Sequence, residues 1–372
     1  MNLSFKDLLF DPNLPLKTQT HLSKKEAQAD LEMLHYALTR AYPACWKMNS
    51  DEWARILETL QNITLPESID RREFGSMISD ILWDIPDGHL KVRFGSETLG
   101  AKFHKNLRQV STGSNVAGTD VWKIEMHDSP RGSIPVFGIS RYPQSSEPHW
   151  QGFLEAVKHN LKASALVIDL RGNDGGDDTK AIEMTSLLLG HDLHIDWVRE
   201  VICESAEAYA LQINTYSKII WINYDSKSLE APAELKAHLE YLKTRASELQ
   251  GQKPQKTIHK LPALSKKSLG AGAFNKPIYV LIDAETRSSG EWTVLYLKQH
   301  PQTVVVGDNT FGMIHFGNSG QLLLPYSQLT VALCMKINEL ISGEFYEKIG
   351  IPPTIRVSNE DSLKYTLTNL IK

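Results

Sequence analysis

The chain has 372 residues, of which 41% are hydrophobic and 23% are charged, and its formal net charge is −4 at pH 7. This length allows two domains, the composition excludes a disordered or fibrous protein, and the charge gives no reason to expect a nucleic-acid partner. The three cysteines are far apart and form no CxxC pair, which argues against a disulfide framework and a thiolate zinc site.

The N-terminal region carries no sign of export or of membrane insertion. No basic region precedes an apolar stretch in the first 20 residues, so we expect no signal peptide. No segment approaches the roughly 20 apolar residues that span a bilayer, so we expect no membrane partner. With cysteines typical of a reducing compartment, these features predict a cytoplasmic protein, and they leave the oligomeric state open.

Three helices are predicted between residues 20 and 85. Ser23 is a predicted N-cap of the first, and Asp70 and Glu73 have the spacing of a cap pair at the start of the third. Pro86 ends the third helix, because the residue before a proline is pushed out of the helical region. We therefore predict an N-terminal helical subdomain over residues 1–92, followed by a core over residues 93–372.

Within that core, apolar strands alternate with helices. The segments "SALVIDL" and "KPIYVLID" each precede a turn and a helix, and "QTVVVG" adds another strand. This order predicts an α/β fold with a largely parallel sheet buried on both faces. The sequence of residues 95–135 predicts short strands, and the region is too short and irregular for a PDZ module. Residues 204–250 are predicted to form two polar-faced helices, which belong to a helical insertion at 204–270.

Two turns follow predicted strands, where sites form in open α/β sheets. "RGNDGG" covers residues 171–176 and "TRSSGE" covers residues 286–291. Ser288 and Ser289 precede a helix whose unpaired N–H groups can hold an oxyanion, although either serine could simply cap the helix. The glycines could form only a tight turn or could let a substrate carbonyl approach the backbone. There is no GxSxG, GxGxxG or Walker motif.

Five segments together carry a family resemblance: "PDGHL", "VIDLRGNDGGD", "YVLIDAETRSSGEW", "VVVGDNTFG" and "EKIGIPPTIRV". They resemble, in order, the motifs of the tail-specific, or C-terminal processing, serine peptidases and of their tricorn-like and retinoid-binding relatives. The resemblance implies a crotonase-like ββα core, serine acyl transfer, a peptide or small acyl substrate, and no cofactor. It also implies that the chain is a serine-type peptidase.

The resemblance also implies roles for residues of the two turns. Ser288, by its register against the glutamate that follows, matches the family's nucleophile. The backbone N–H groups of Ser289 and Gly175 match the oxyanion hole. Gly172 and Gly176 are then expected to contact the substrate.

The base is the point at which the chain departs from the best-known branch. Peptidases with a serine–lysine dyad carry the lysine where this chain has Met313, and a thioether cannot accept a proton near neutral pH. The tricorn-like branch uses a histidine that matches His89. Its unperturbed pKa of about 6.5 leaves it ready to accept a proton. His315 is an alternative base and otherwise a substrate contact.

The same branch uses a carboxylate in the last turn to orient the histidine. Glu347 stands at the expected interval before "GIPP", and Glu344 is the second choice. No HExxH or similar cluster is present, so we expect no metal. Two other interpretations stay open at this point: an inactive ligand- or peptide-binding protein on the same scaffold, and an esterase or amidase for a small substrate.

Overall fold

The computed structural model describes residues 3–15, 17–102, 121–143, 149–260, 273–357 and 361–371. As far as they are described, residues 1–107, 199–259 and 315–339 form a first compact unit, and residues 108–198, 260–314 and 340–372 form a second. The sequence-based boundary between residues 92 and 93 stays a prediction.

The helices and strands follow the alternation expected from the sequence. The helices are α1 (Lys24–Ala41), α2 (Ser50–Gln61), α3 (Arg71–Leu82), α4 (His149–His159), α5 (Asp178–Leu189), α6 (Ala206–Asn223), α7 (Ala233–Glu248), α8 (Ser289–Leu297) and α9 (Ser362–Tyr365). The strands are β1 (His21–Ser23), β2 (Ser68–Asp70), β3 (Val92–Phe94), β4 (Glu97–Thr98), β5 (Trp122–Ser129), β6 (Gly132–Ile139), β7 (Leu166–Asp169), β8 (Val198–Glu204), β9 (Gln255–Lys260), β10 (Ile278–Ile282), β11 (Thr303–Gly307), β12 (Phe316–Leu323), β13 (Thr330–Leu340) and β14 (Ile355–Arg356).

Local signals set the ends of the N-terminal helices. The Ser23 side chain accepts a hydrogen bond from the Glu26 N–H at the start of α1, and the Glu26 carboxylate accepts one from the Ser23 N–H at 2.8 Å. The Asp70 carboxylate accepts hydrogen bonds from two N–H groups at the start of α3. That helix ends at Leu82, before Pro86, as predicted.

The first unit contains a sheet in the order β4-β3-β13-β8-β9, and β12 also pairs with β13. Strand β13 is antiparallel to β3, with Val331 opposite Val92, and antiparallel to β12, with Ile337 opposite Phe316. This pairing brings the turn that precedes β3 alongside the middle of β13.

The prediction of two polar-faced helices at 204–250 is wrong for α6. The helix exists, but its residues 206–214 are all buried. Its polar side chains face inward because they bond to the backbone of β12: the Gln212 amide donates to the Asn318 carbonyl, and the Asn214 amide donates to the Gln321 carbonyl at 2.8 Å. In α7, by contrast, the buried residues are Leu242 and Ala246, which fits the prediction.

The second unit contains a sheet in the order β14-β11-β10-β7-β6-β5, and among the described strands of this sheet only the β5–β6 pair is antiparallel. Alternate side chains enter two separate hydrophobic clusters. In β10, for example, Val280 lies in one cluster and Leu281 in the other. Since side chains of a strand alternate between faces, the predicted parallel sheet buried on both faces is confirmed.

Two predicted features lie partly outside the described residues. The region expected to hold short strands includes residues 103–120, and the expected insertion includes residues 261–272. Both segments lie outside the described residues. Across the part of the chain that is described, none of the helices combines the length and the apolar character needed to cross a membrane.

Candidate active site

The two turns singled out in the sequence are adjacent in the second unit, because β7 and β10 are parallel neighbours. The Arg287 N–H donates to the Asn173 carbonyl at 2.8 Å, and the Ser289 hydroxyl donates to the Gly176 carbonyl at 2.8 Å. A methyl group placed on Gly175 would lie 2.9 Å from the Ser288 Cβ. The structure therefore brings the serine turn into contact with the glycine turn.

The buried carboxylate of Asp283 forms hydrogen bonds with the backbone of both turns. Asp283, one residue after β10, accepts hydrogen bonds from the N–H of Gly172 at 3.0 Å and from the N–H of Thr286 at 3.1 Å. Burial raises the pKa of the Asp283 carboxyl, and the hydrogen bonds from the N–H groups of Gly172 and Glu285 oppose the rise. Gly172, Gly175 and Gly176 all have positive φ angles, which glycine adopts without a steric cost.

Ser288 has a backbone conformation that a capping serine does not need. It is the N-cap of α8, with φ 49° and ψ −115°, whereas N-cap residues ordinarily have extended angles. A strained residue of this kind costs roughly 1–3 kcal/mol, and such residues cluster at catalytic sites, including the sharp turns that present nucleophilic serines. Ser288 is half-buried, while Ser289 is 3% exposed and its hydroxyl is engaged. Ser288 is thus the more accessible serine.

Glu291 holds the Ser288 backbone in place. This fully buried carboxylate accepts hydrogen bonds from the Ser288 N–H at 3.0 Å, the Thr310 hydroxyl at 2.6 Å, the Gly312 N–H at 2.9 Å and the Met313 N–H at 2.7 Å. Burial raises the pKa of the Glu291 carboxyl, and the four hydrogen bonds offset part of that rise. The start of α8 is therefore fastened to the segment after β11.

We expect Glu291→Gln to destabilise the protein by about 3 kcal/mol, since an amide nitrogen cannot accept the two hydrogen bonds that each carboxylate oxygen now accepts. Urea unfolding measures this loss. The matched control is Glu344→Gln, because Glu344 is exposed and its loss should change the free energy of unfolding by less than about 0.5 kcal/mol. Equal stability of the two variants would contradict a structural role for Glu291.

The Gly175 amide, expected to face an oxyanion, has a partner within its own turn. Its N–H donates to the Asn173 Oδ1 at 2.9 Å, and the Asn173 amide group donates to the Ile139 carbonyl at 2.8 Å. Asn173 is fully buried, so it anchors the glycine turn to the end of β6.

Glu347 also lies in the second unit and is 2% exposed. Its Oε2 accepts a hydrogen bond from the Ile314 N–H at 3.0 Å. Glu291 and Glu347 together bind three successive amides, those of residues 312, 313 and 314. Glu344, the second choice from the sequence, is exposed, so the two glutamates differ clearly in burial.

His89 lies in the first unit, in the turn between α3 and β3, and its side chain is 16% exposed. The buried Asp87 carboxylate shapes this turn by accepting hydrogen bonds from the N–H of His89 at 2.7 Å and of Leu90 at 3.3 Å. The Nδ1 atom of His89 is 3.8 Å from Asp87 Oδ1, too far for a hydrogen bond. Burial, with a smaller contribution from the charge of Lys91, lowers the pKa of His89 to about 3. The imidazole is thus neutral at physiological pH.

The two other residues considered for the base have different surroundings. Met313 is buried, and its N–H is bound by Glu291. His315, in the first unit, is 2% exposed, and its Nδ1 lies 2.8 Å from the Asn338 carbonyl. Burial lowers the pKa of His315. Its role as a substrate contact stays a prediction.

Three anchoring residues were not singled out from the sequence. Glu291 could have been found from its capping-box spacing to Ser288. Asp87 stands two residues before His89, a spacing at which an Asp side chain can bond to the backbone ahead of it. Asn173 carries no comparable signal, because its partner carbonyl belongs to a distant strand.

Comparison with known families gives one match that covers more than half of the chain. The sequence profile of Peptidase family S41 matches residues 136–357. This segment contains the two turns, Ser288 and Glu347, and it begins after His89. No curated protein matches the chain.

Several solved structures share the fold. A candidate peptidase from Parabacteroides merdae has a TM-score of 0.57 at 15% identity, with 91% of this chain and 92% of that chain covered. Mature CPAF has a TM-score of 0.54 at 16% identity, with 89% and 92% covered. CPAF complexed with lactacystin has a TM-score of 0.53 at 14% identity, with 89% and 93% covered. These similarities cover about nine tenths of each chain.

Proposed function

Because the chain belongs to peptidase family S41 and is a serine-type peptidase, we propose that Ser288 is its nucleophile, His89 its base and Glu347 the acid that orients the base. The family match confirms the resemblance noted from the motifs. The backbone of Ser288, with φ 49° and ψ −115°, is the observation that carries the proposal, since a serine that only capped α8 would not need a strained conformation.

The proposed reaction is acyl transfer. Ser288 Oγ attacks the carbonyl carbon of the scissile peptide bond while its proton passes to His89. His89 then gives the proton to the departing amine as the C–N bond breaks. A water molecule, deprotonated by the same imidazole, hydrolyses the acyl-enzyme. The assignment of His89 rests on its match to the family motif and on its neutral imidazole.

We propose that the N–H groups of Ser289 and Gly175 stabilise the oxyanion formed on the substrate carbonyl. Ser289 is the first residue of α8, where N–H groups have no acceptor within the helix. The Gly175 N–H donates to Asn173 Oδ1 at 2.9 Å, so this hydrogen bond must be exchanged for, or shared with, the oxyanion. Gly172 and Gly176 would contact the substrate backbone beside it.

The finer features implied by the resemblance are also part of the proposal. The strand–turn–helix units β7/α5 and β10/α8, on parallel neighbouring strands, are compatible with a crotonase-like core. Tail-specific cleavage would require a free substrate carboxylate. Digestion of one peptide with either a free or an amidated C-terminus tests this, and equal rates would contradict it. A cytoplasmic location accords with three cysteines that form no disulfide.

A fluorophosphonate probe tests the nucleophile directly. We expect covalent labelling at Ser288, located by mass spectrometry of the digested adduct. Ser288→Ala should lose the label, and Ser289→Ala should keep it, because the Ser289 hydroxyl is bound to the Gly176 carbonyl. Labelling of Ser289 instead, or no labelling of the folded protein, would contradict the assignment.

We expect Glu347→Gln to lower kcat/KM by roughly 10- to 10³-fold, because the change removes the charge that stabilises the imidazolium formed on His89. Glutamine keeps an acceptor for the Ile314 N–H, so the urea midpoint should change little. Steady-state kinetics on one peptide measures the effect, with the exposed Glu344→Gln as control.

Asp87→Asn belongs in the same series, because Asp87 lies 3.8 Å from His89 Nδ1. A larger rate loss in Asp87→Asn than in Glu347→Gln would transfer the orienting role to Asp87. An unchanged rate in both variants would reduce the site to Ser288 and His89.

A further inference from the structure

Three metal-binding side chains meet within the first unit. The Asp87 carboxylate, the His89 imidazole and the Cys334 thiol each offer one ligand atom, and these atoms all lie within 4.8 Å of one another. The cause is strand pairing. Val92 lies opposite Val331, and the Ala332 N–H donates to the Lys91 carbonyl at 3.0 Å. Continued by a few residues, this antiparallel register places His89 opposite Cys334.

The chemistry of the three donors fits a zinc-class ion. Thiolate, imidazole and carboxylate are the side chains that bind zinc, and three of them leave a fourth position open. An imidazole nitrogen and a carboxylate oxygen on one tetrahedral ion are separated by about 3.3–3.5 Å, given metal–ligand distances of about 2.0–2.2 Å. The 3.8 Å between His89 Nδ1 and Asp87 Oδ1 is too long for a hydrogen bond and exceeds this separation by only a few tenths of an ångström.

The surroundings of the cluster also suit an ion. His89 Nδ1 is buried and has no hydrogen-bond partner among the described residues, a state that costs free energy unless something satisfies the atom. The Tyr42 hydroxyl donates to Asp87 Oδ2 at 2.6 Å, as outer hydrogen bonds commonly orient ligating carboxylates. Asp87 and Cys334 are fully buried, so the partly exposed side of His89 gives access.

We propose that Asp87, His89 and Cys334 form a binding site for a zinc-class divalent ion, and that the bound ion holds the peptidase in a reversible inactive state. On binding, the thiol proton of Cys334 leaves to solvent as the sulfur–metal bond forms, with no change of oxidation state. The sequence predicted no metal because it contains no local metal-binding motif. Cys334 is far from Asp87 and His89 in the sequence, and only sheet pairing brings them together.

The inactive state rests on the proposed role of His89 as base. A metal on Nδ1 uses the lone pair of that nitrogen, so the neutral ring must carry its hydrogen on Nε2. Neither ring nitrogen can then accept the Ser288 proton. Removal of the ion by a chelator restores the acceptor, which makes the inhibition reversible.

Direct binding of Zn²⁺ to the full chain is the primary test. After EDTA treatment and dialysis, competition with a chromophoric chelator measures the dissociation constant for Zn²⁺. Co²⁺ serves as a second probe, through its sulfur-to-metal charge-transfer absorption. We expect Cys334→Ser to weaken Zn²⁺ binding by more than about 100-fold, because loss of an outer hydrogen-bond partner alone costs 10- to 100-fold.

The matched control is Cys203→Ser, which removes another buried thiol of the same unit, in β8. This variant should bind Zn²⁺ like the unaltered chain. Zn²⁺ should also raise the thermal midpoint of the unaltered chain and of Cys203→Ser, but not of Cys334→Ser. If serine at residue 334 prevents folding, Cys334→Ala repeats the comparison. Equal affinities of the Cys334 variant and the unaltered chain, or no binding, would overturn the site.

Inhibition is measured separately, with each variant compared with its own rate in EDTA. Zn²⁺ should reduce peptide cleavage by the unaltered chain, and Cys334→Ser should need more than about 100-fold more Zn²⁺ for the same fractional loss. Tight binding without loss of rate would overturn the inactive state. If the unaltered chain does not bind Zn²⁺ but its rate in EDTA depends on His89, the metal site is wrong and the proposed catalytic role of His89 stands. The two failures are therefore distinguishable.

Discussion

Ser288→Ala is expected to lower kcat by roughly 10⁴-fold or more, because removal of a nucleophile from an acyl-transfer site leaves only the contribution of binding and of the oxyanion donors. Steady-state cleavage of one peptide by purified variants measures this loss. The unfolding free energy should change little, because alanine is about as strained as serine at φ 49° and the hydrogen bond to Glu291 uses the backbone N–H of residue 288.

Ser289→Ala is the matched control for this experiment. The change removes the hydroxyl that binds the Gly176 carbonyl and leaves the N–H proposed for the oxyanion. We therefore expect a rate loss far smaller than that of Ser288→Ala. The broken hydrogen bond should lower the free energy of unfolding by about 1 kcal/mol. A reversed order of the two rates would show that Ser289 is the nucleophile.

His89→Ala is expected to lower kcat to a level close to that of Ser288→Ala, because nucleophile and base act as one unit and either deletion removes the assisted attack. Met313→Lys should not restore the rate in a His89→Ala background, because a lysine amine with its ordinary pKa of about 10.4 is protonated near neutral pH and cannot accept the Ser288 proton. Circular dichroism establishes that the variants are folded. Activity that survives in His89→Ala would contradict the assignment.

The pH profile of the unaltered chain in EDTA provides the second measurement for His89. The base must be neutral, so activity is present above its pKa and is lost as the pH falls through that pKa. Burial lowers the pKa of His89 from 6.5 to about 3. The acid limb of kcat/KM should therefore lie well below pH 6.5, the unperturbed pKa of a histidine. A rate that rises only near pH 9 would indicate a lysine base.

Local signals in the sequence predicted much of the fold. Capping side chains at Ser23 and Asp70 and the stop before Pro86 depend on neighbours within a few residues, and all three match the structure. The unbroken apolar runs of β7 and β10 predicted a sheet buried on both faces because such strands have no solvent side.

Features that depend on distant partners could not be predicted in the same way. The inward-facing amides of α6 are polar in sequence, and only their acceptors on β12 explain why they are buried. Cys334 has no local motif, and only the β3–β13 register brings it to His89. The burial that separates Glu347 from Glu344 likewise follows from tertiary packing.

The conformation of Ser288 bears on how this chain has evolved. Replacement by glycine would relieve most of a strain of roughly 1–3 kcal/mol, a large part of the 5–15 kcal/mol that keeps an ordinary domain folded. Mutation would readily supply that relief if stability alone were under selection. If Ser288 is the nucleophile, as proposed, selection for peptide cleavage would keep the serine at φ 49° at the expense of stability, whereas a lineage that had abandoned cleavage would be free to drift to glycine here.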